Sequence, residues 1–247
     1  MRDSYRATNV VLMFTKSAAF YDAIYSFKNY PAEAAQLHAI IRKHKRSPGN
    51  RLLDVACGTG QHVHALHALG YDCEGLDLDD NLITIAREKN PGLTFRIADM
   101  IDFDLGTTFD VVTCLFSAIG YVKTVDRMQQ AVANMARHLA PGGVLIVEPW
   151  FWPGFRLDPI SQMSVDLPDF KIARIVNTQV IGRSYVAHFH YLVGKPDGVD
   201  YLVERHELGL FSHAEHRAAF ESAGLLTTHD QKGLIGRGLW IGVKEMD

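Results

Sequence analysis

Cysteine is scarce: Cys57, Cys73 and Cys114 are the only three among 247 residues. The count is odd and no pair has metal-ligand spacing. A disulfide framework is therefore excluded, and a reducing, cytoplasmic setting is expected. Charge of one sign is also lacking. The formal net charge is −3, and neither sign forms a long run. A duplex nucleic-acid binder usually carries a basic face, so nucleic acid is not an expected partner. A small anionic ligand stays open, because it needs only one or two local cations. Long apolar runs are missing too. The run at residues 10–14 is broken at once by Thr15 and Lys16. It is too short for a signal peptide or a bilayer span, so no membrane partner is expected. No internal repeat or low-complexity segment is found.

What is present is an ordinary globular composition, 47% hydrophobic and 21% charged, in a chain long enough for one core with one elaboration. Pro31 opens an amphipathic run that reads as a helix. Residues 52–56 read as a buried strand, followed by the turn Cys57-Gly58-Thr59-Gly60 and a helix with Val63, Leu66 and Leu69 on one face. Strands are expected at 73–78, 93–98, 109–116 and 144–148, and helices at 82–89 and 125–139. Pro141-Gly142-Gly143 ends the second of these helices. This alternation predicts an α/β fold with a doubly wound parallel sheet. After Pro149 the period changes. Residues 170–176, 185–193 and 199–210 alternate without intervening helices, joined by hairpin-like turns at 182–184 and 195–198. They predict an inserted antiparallel sheet. Ser212-His213-Ala214-Glu215 is a capping box that starts a helix reaching about residue 224. Strands at 225–229 and 239–243 close the chain. The expected division is an α/β domain of residues 1–149 and 211–247, with 150–210 inserted on the substrate or dimer side.

The segment Asp54-Val55-Ala56-Cys57-Gly58-Thr59-Gly60 closes one strand and opens a helix. Its glycines let backbone approach a ligand without a Cβ in the way. The third glycine of the dinucleotide fingerprint is missing; Val63 stands there. Asp54 ends the strand, and its charge would repel a pyrophosphate but suits a ligand bearing a sulfonium and an ammonium. Asp77 ends the next strand, where a carboxylate can accept both ribose hydroxyls. Ala98-Asp99-Met100 ends the third, where Asp99 can accept an adenine amino group and Met100 can cover the ring. Each acid alone is as readily a helix cap; the set with the glycine turn is not so easily explained.

Leu53 to Gly60, Ala98-Asp99-Met100 and Leu139-Ala140-Pro141-Gly142-Gly143 resemble the class I S-adenosylmethionine methyltransferases. Tyr21-Asp22, Val112-Thr113-Cys114-Leu115-Phe116, Val147-Glu148-Pro149-Trp150 and Gly236-Arg237-Gly238-Leu239 narrow the resemblance. They are similar to the N,N-dimethyltransferases of nucleotide-linked (dTDP) amino sugars, which serve desosamine, mycaminose and forosamine formation in antibiotic biosynthesis. The resemblance spans nearly the whole chain and implies S-adenosylmethionine as cofactor and a nucleotide-linked amino sugar as substrate; the inserted sheet is the expected surface of a homodimer. The resemblance also implies cofactor contacts from Tyr21, Tyr30, Asp54, Ala56, Gly58, Gly60, Asp77, Leu78, Asp99, Met100 and Leu115. It departs from the family in three places. Tyr121 follows Ile119-Gly120 where many relatives have His. Gly233-Leu234-Ile235 replaces a Gly-Pro-Ser stretch. A tyrosine expected upstream of Tyr21 is replaced around Met13-Phe14.

On the acceptor side, methyl transfer to an amine is an in-line displacement from an already activated donor, so alignment supplies much of the catalysis. Tyr121 and Glu148 are the catalytic candidates, expected to position the amine more than to carry its proton. Alternatively Tyr121 packs over the cofactor and Glu148 is satisfied by backbone or by an Arg. Arg237, between two glycines, is the candidate for the nucleotide phosphates, or else a surface ion pair. Phe116, Trp150 and Trp152 are expected on the substrate side; Trp150, Phe151 and Trp152 form one aromatic cluster that could wall the sugar or stack on a base, while core packing between the two sheets better explains at least one of them. Tyr21 and Tyr30 would close over the donor and exclude water. His62, His64 and His67, and separately His188 and His190, lack a completing Cys or carboxylate, so no metal is expected. Two other functions stay open: N-methylation of another small-molecule amine, and non-catalytic binding of S-adenosylmethionine.

Overall fold

The structure, a computed structural model, describes residues 17–246. The apolar run at 10–14 and the departure around Met13-Phe14 lie outside these residues. A seven-stranded sheet is built from β1 (Arg51–Val55), β2 (Asp72–Asp77), β3 (Thr94–Ile97), β4 (Phe109–Cys114), β5 (Leu139–Val147), β10 (Leu225–Asp230) and β11 (Leu239–Lys244). Its order is β10-β11-β5-β4-β1-β2-β3. The pairs among β1 to β5 are parallel, and β11 runs antiparallel to both of its neighbours. A second sheet, in the order β6-β7-β8-β9, is an antiparallel meander of β6 (Ile160–Asp166), β7 (Lys171–Ile181), β8 (Ser184–Lys195) and β9 (Gly198–Gly209).

The strands of the large sheet are apolar on both faces because helices cover both. Leu53, Val112, Leu145 and Val147 pack against α5 (Val125–Arg137) and α6 (His213–Ser222), through Met128, Val132, Met135 and Phe220. Their sequence neighbours Leu52, Val111, Val144 and Ile146 face α2 (Tyr30–His44), α3 (Gln61–His67) and α4 (Asp80–Lys89). A short α1 (Tyr21–Ile24), not foreseen from the sequence, precedes them. The caps are local chemistry. Asn29 accepts the Ala32 N–H, Asp79 the Asn81 N–H, and Thr124 the Arg127 N–H. The predicted box at Ser212 and Glu215 is formed in full.

Several expected boundaries are corrected. Helix α5 stops at Arg137 rather than 139, and β5 starts at Leu139, running through Pro141-Gly142-Gly143 instead of after them. Leu139 pairs with Phe109 and Val144 with Val111, so residues 140–143 stand out where only Asp110 lies opposite. The looped segment is tied down by the Gly142 carbonyl, which accepts the N–H groups of Arg46 and Ser47. Helix α3 ends at His67, which leaves Leu69 past its end and 43% exposed instead of on its buried face. The inserted sheet has four strands, not three. Strand β6 was missed because Ile160-Ser161-Gln162-Met163-Ser164-Val165-Asp166 is an edge strand with no buried residue, so it lacks a clear apolar alternation. No helix among the described residues is long and apolar enough to cross a membrane.

Candidate active site

The turn after β1 is left-handed at three residues: Ala56 (φ 59°), Gly58 (φ 56°) and Gly60 (φ 77°). Its two glycines do different work. A Cβ on Gly60 would come within 3.0 Å of Phe95 and Asn90, so that position is set by packing. A Cβ on Gly58 would meet nothing closer than the Tyr21 hydroxyl at 3.8 Å, an ordinary van der Waals contact, so space remains beside it. That space is a cavity of about 620 Å³ at the carboxyl ends of β1 to β4.

One end of the cavity is walled by Ala56, Gly58, Asp77, Leu78, Asp99, Met100 and Leu115, with Tyr21 contributed by α1. Asp77 is placed by its own backbone contacts, accepting the Gly58 N–H at 2.9 Å and the Asp79 N–H at 3.0 Å. Burial raises its pKa, while these backbone donors pull it down. Asp99 accepts the Ile101 N–H at 3.2 Å and lies 3.7 Å from Arg127. A small adjoining pocket shares Tyr21, Ala56, Gly58, Leu115 and Phe116, and adds Tyr30, Asp54 and His62. Asp54 is buried there, accepting the Thr113 O–H at 2.7 Å. Burial pushes its pKa up to about 6, against the pull of His62 and Thr113.

The other end of the cavity is aromatic and carries two guanidinium groups. Phe116, Tyr121, Trp150, Phe151, Tyr185, His206, Arg174 and Arg237 line it. Phe116 and Ser117 have φ of 52° and 63°, values uncommon outside glycine and suggestive of a held conformation. Glu148 supplies part of the hold. Its Oε2 accepts the Phe116 N–H at 2.7 Å, and its own N–H donates to the Cys114 carbonyl at 2.9 Å. Ser117 Oγ donates to the Pro149 carbonyl and accepts from Arg237 Nη1, both at 2.7 Å. The Arg237 guanidinium lies 4.5 Å from the Trp150 ring centre. Burial lowers its pKa, with the Glu148 charge opposing the shift.

Of the residues expected from sequence, the structure gathers twelve on the main cavity: Tyr21, Ala56, Gly58, Asp77, Leu78, Asp99, Met100, Leu115, Phe116, Tyr121, Trp150 and Arg237. Tyr30 and Asp54 stand on the small pocket. Three stand on neither. Gly60 caps α3. Glu148 is fully buried behind Phe116, with its Oε1 lacking a partner among the described residues. Trp152 packs edge-on against Phe155 at 4.9 Å and is 40% exposed. Arg237 is no surface ion pair: its contacts are with Ser117 and aromatic rings.

Sequence reasoning missed two buried polar groups. Lys28 Nζ lies 2.9 Å from Glu33, which also meets His62 at 2.8 Å, and the ammonium stands 4.1 Å from the Phe116 ring centre. Burial raises the Glu33 pKa, but His62 and Lys28 outweigh it, so the carboxyl sits below its usual range. On β9, Glu204 and His206 are buried beside Tyr121. A signal for them existed: in Glu204-Arg205-His206-Glu207-Leu208, they share the strand face of Leu208, which alternation assigns to the core.

The comparisons with known proteins agree with this geometry. The methyltransferase domain family matches residues 52–143. The chain is 38% identical, over 92% of its length and 97% of the relative's, to the dTDP-3-amino-3,4,6-trideoxy-alpha-D-glucopyranose N,N-dimethyltransferase of Streptomyces venezuelae. It is 37% identical, over 92% of both chains, to the dTDP-4-amino-2,3,4,6-tetradeoxy-D-glucose N,N-dimethyltransferase of Saccharopolyspora spinosa. The chain belongs to the dTDP-amino-sugar N,N-dimethyltransferase family. Among solved structures, S-adenosylmethionine-bound CalS10, an amino pentose methyltransferase of Micromonospora echinaspora, superposes with a TM-score of 0.82 at 36% identity, covering 96% of this chain and all of that one. This family member is thus an S-adenosylmethionine-dependent methyltransferase. Its own residues fit the cofactor, because Gly58 and the strand-end acids Asp77 and Asp99 face one cavity, with Asp54 on the small pocket that adjoins it.

Proposed function

We propose that this enzyme transfers methyl groups from S-adenosylmethionine to the amino group of a dTDP-linked deoxyamino sugar, in a cytoplasmic natural-product pathway. The observation that carries the reading is the arrangement of one cavity, acidic and glycine-lined at one end and aromatic with a buried guanidinium at the other. Asp77 would accept ribose hydroxyls, Asp99 the adenine amino group, and Leu78, Met100 and Leu115 would cover the ring. Asp54, Tyr30 and the small pocket suit the amino-acid end of the donor. Tyr21 reaches over Gly58 and limits water. When bound, S-adenosylmethionine supplies an electrophilic methyl group on a good leaving group, so the residues have chiefly to align the amine.

Tyr121 is the residue we assign to that alignment. Glu148 acts one step back, fixing the backbone of Phe116 and Ser117, which form the wall between donor and acceptor. Arg237 would grip a phosphate, and Trp150 would flank it; the buried indole N–H of Trp150, without a partner among the described residues, is a second donor at the same place. Residues 150–210 are assigned to the acceptor side. The outward face of their sheet, with Ile175, Leu192, Val199 and Tyr201 each at least half exposed, is assigned to a homodimer contact. The deciding experiment is mass spectrometry of donor-dependent methylation across dTDP-linked amino sugars and matched free amines. Methylation of the free amines alone would favour a different small-molecule acceptor. Donor binding with no turnover of any amine would indicate a binding protein.

A further inference from the structure

Tyr121 does not end at the cavity wall. It stands in a 3-10 turn, Ala118–Val122, and its hydroxyl is 2.9 Å from His206 Nδ1 on β9. His206 Nε2 lies 3.7 Å from Glu204 Oε2, with side-chain exposures of 2% and 0%. Glu204 is itself anchored: Oε1 accepts the Ser17 N–H at 3.0 Å and Oε2 the Ser17 O–H at 2.8 Å. A hydroxyl in the site is thereby joined to a buried imidazole, and the imidazole to a buried carboxylate. A carboxylate sealed in a core needs a cation or strong donors beside it; the Ser17 N–H and O–H supply the donors, and the Oε2 edge also faces the imidazole.

N,N-dimethylation creates a need for such a pair. The first transfer leaves the nitrogen with four bonds, one of them to a proton it must shed before it can attack again. We propose that His206, backed by Glu204, takes up that proton through the Tyr121 hydroxyl between the first and second methyl transfers. This rests on the amino-sugar reading above. The N–H bond of the methylammonium breaks and its electron pair stays on nitrogen. The proton joins Tyr121 Oη as the original O–H proton moves to His206 Nδ1. Tyr121 ends as a neutral phenol, and an imidazolium faces the Glu204 carboxylate. Nothing is oxidised or reduced.

The surroundings suit the transfer. Burial raises the Tyr121 pKa well above that of an ordinary phenol, so the hydroxyl passes a proton without resting as a phenolate. Burial raises the Glu204 pKa, but the nearby His206 imidazole and the hydrogen bonds from Ser17 outweigh it and hold the carboxyl below its usual range. The other titratable groups about the pair are Tyr25 and Tyr191, both raised by burial, and Arg174, 5.3 Å from the Phe189 ring that packs on His206. His206 is a positioning and relay residue, since it reaches the amine only through Tyr121.

The test uses the full chain and mass-resolved kinetics with a dTDP-linked primary amine and its N-monomethyl counterpart. A general base of ordinary strength contributes about 10²–10⁴-fold. His206→Asn keeps an acceptor for the Tyr121 O–H but cannot take its proton. It should slow the second transfer about 10²-fold more than the first at neutral pH, so that monomethyl product accumulates. The deficit should close in alkaline buffer, where the amine loses its proton to solvent. Glu204→Gln should do the same more weakly, and gives a second reading if His206→Asn folds poorly. Equal slowing of both transfers, or a product ratio that ignores pH, overturns the relay while leaving the enzyme's assignment intact. A wild-type protein that methylates no dTDP-linked amine overturns both.

Discussion

Arg237 brings a permanent charge into the aromatic end of the cavity, which it shares with Arg174, and its setting makes its removal informative. A charge-assisted contact to phosphate contributes roughly 1.5–3 kcal/mol. Arg237→Ala should therefore weaken acceptor binding about ten- to a hundredfold, measured by titration with demethylated donor bound. Arg237→Lys should recover only part, because a point charge cannot make paired fork contacts. Unchanged acceptor affinity would count against a phosphorylated substrate. Tyr121→Phe separates alignment from proton removal within the first transfer. With a primary amine, kcat should be mostly retained and KM should rise; a kcat loss of about 10²-fold or more would show base chemistry already in that step. Asp54 gives a stability prediction. Its pKa is raised from 3.8 to about 6, so in the ligand-free protein its ionised form opposes folding. This cost is absent in acid below about 3.8, where the carboxyl is protonated in both states, and stability is lost as pH rises from there through about 6. Each unit is worth 1.36 kcal/mol, so Asp54→Asn should stabilise the ligand-free protein by up to about 3 kcal/mol at neutral pH. The gain should fade in acid, and donor binding should weaken. A thermal shift that does not change with pH would refute this. The strand-end acids and Arg237 were legible in sequence because a motif carries them. Lys28, Glu33 and the Glu204–His206 pair were not, because each is assembled from residues whose partners the fold alone brings near.

At the scale of elements, the turn after β1 holds two glycines that resemble each other in sequence and differ in surroundings. Both have positive φ, so alanine at either strains the backbone by about 1 kcal/mol. Gly60→Ala adds a clash with Phe95 and should lower the melting temperature more. Gly58→Ala adds a methyl that faces the cavity and should cost donor affinity more than stability. Calorimetry and donor titration of both variants would show the crossover, and parallel losses in both measurements would deny it. Elements with strong apolar periods, such as α5, β4 and β8, were legible nearly to their ends. Strand β6 was hidden by its exposed edge position. The start of β5 was hidden by Pro141-Gly142-Gly143, which reads as a helix stop but lies within a strand pairing that loops out there. Helix α1 is too short for a period to form.

The whole molecule joins two sheets around one cavity, and the smaller sheet leaves a face with large apolar side chains outward. Leu192 and Tyr201 are cross-strand partners there, 50% and 60% exposed. Leu192→Lys should shift the sedimentation coefficient toward that of a single chain, with secondary structure unchanged by circular dichroism. A wild-type protein that already sediments as a single chain at micromolar concentration would remove the homodimer assignment. The separate sheet was legible from the change of period after Pro149; which of its faces meets the cavity was not, because both carry apolar residues.

The place of β11 has a consequence for synthesis. This strand comes last in the described chain, yet it lies inside the sheet, between β5 and β10. While a ribosome is still making residues 210–240, β5 has its partner β4 on one side and nothing on the other. The unsealed edge offers the backbone of Val144, Leu145, Ile146 and Val147, which are wholly buried in the finished fold. An apolar open edge is a template for pairing with another chain. The nascent protein therefore passes through an aggregation-prone interval that ends only when its final strand slides home, and a chaperone that shields strand edges would raise its yield more than one that shields helices.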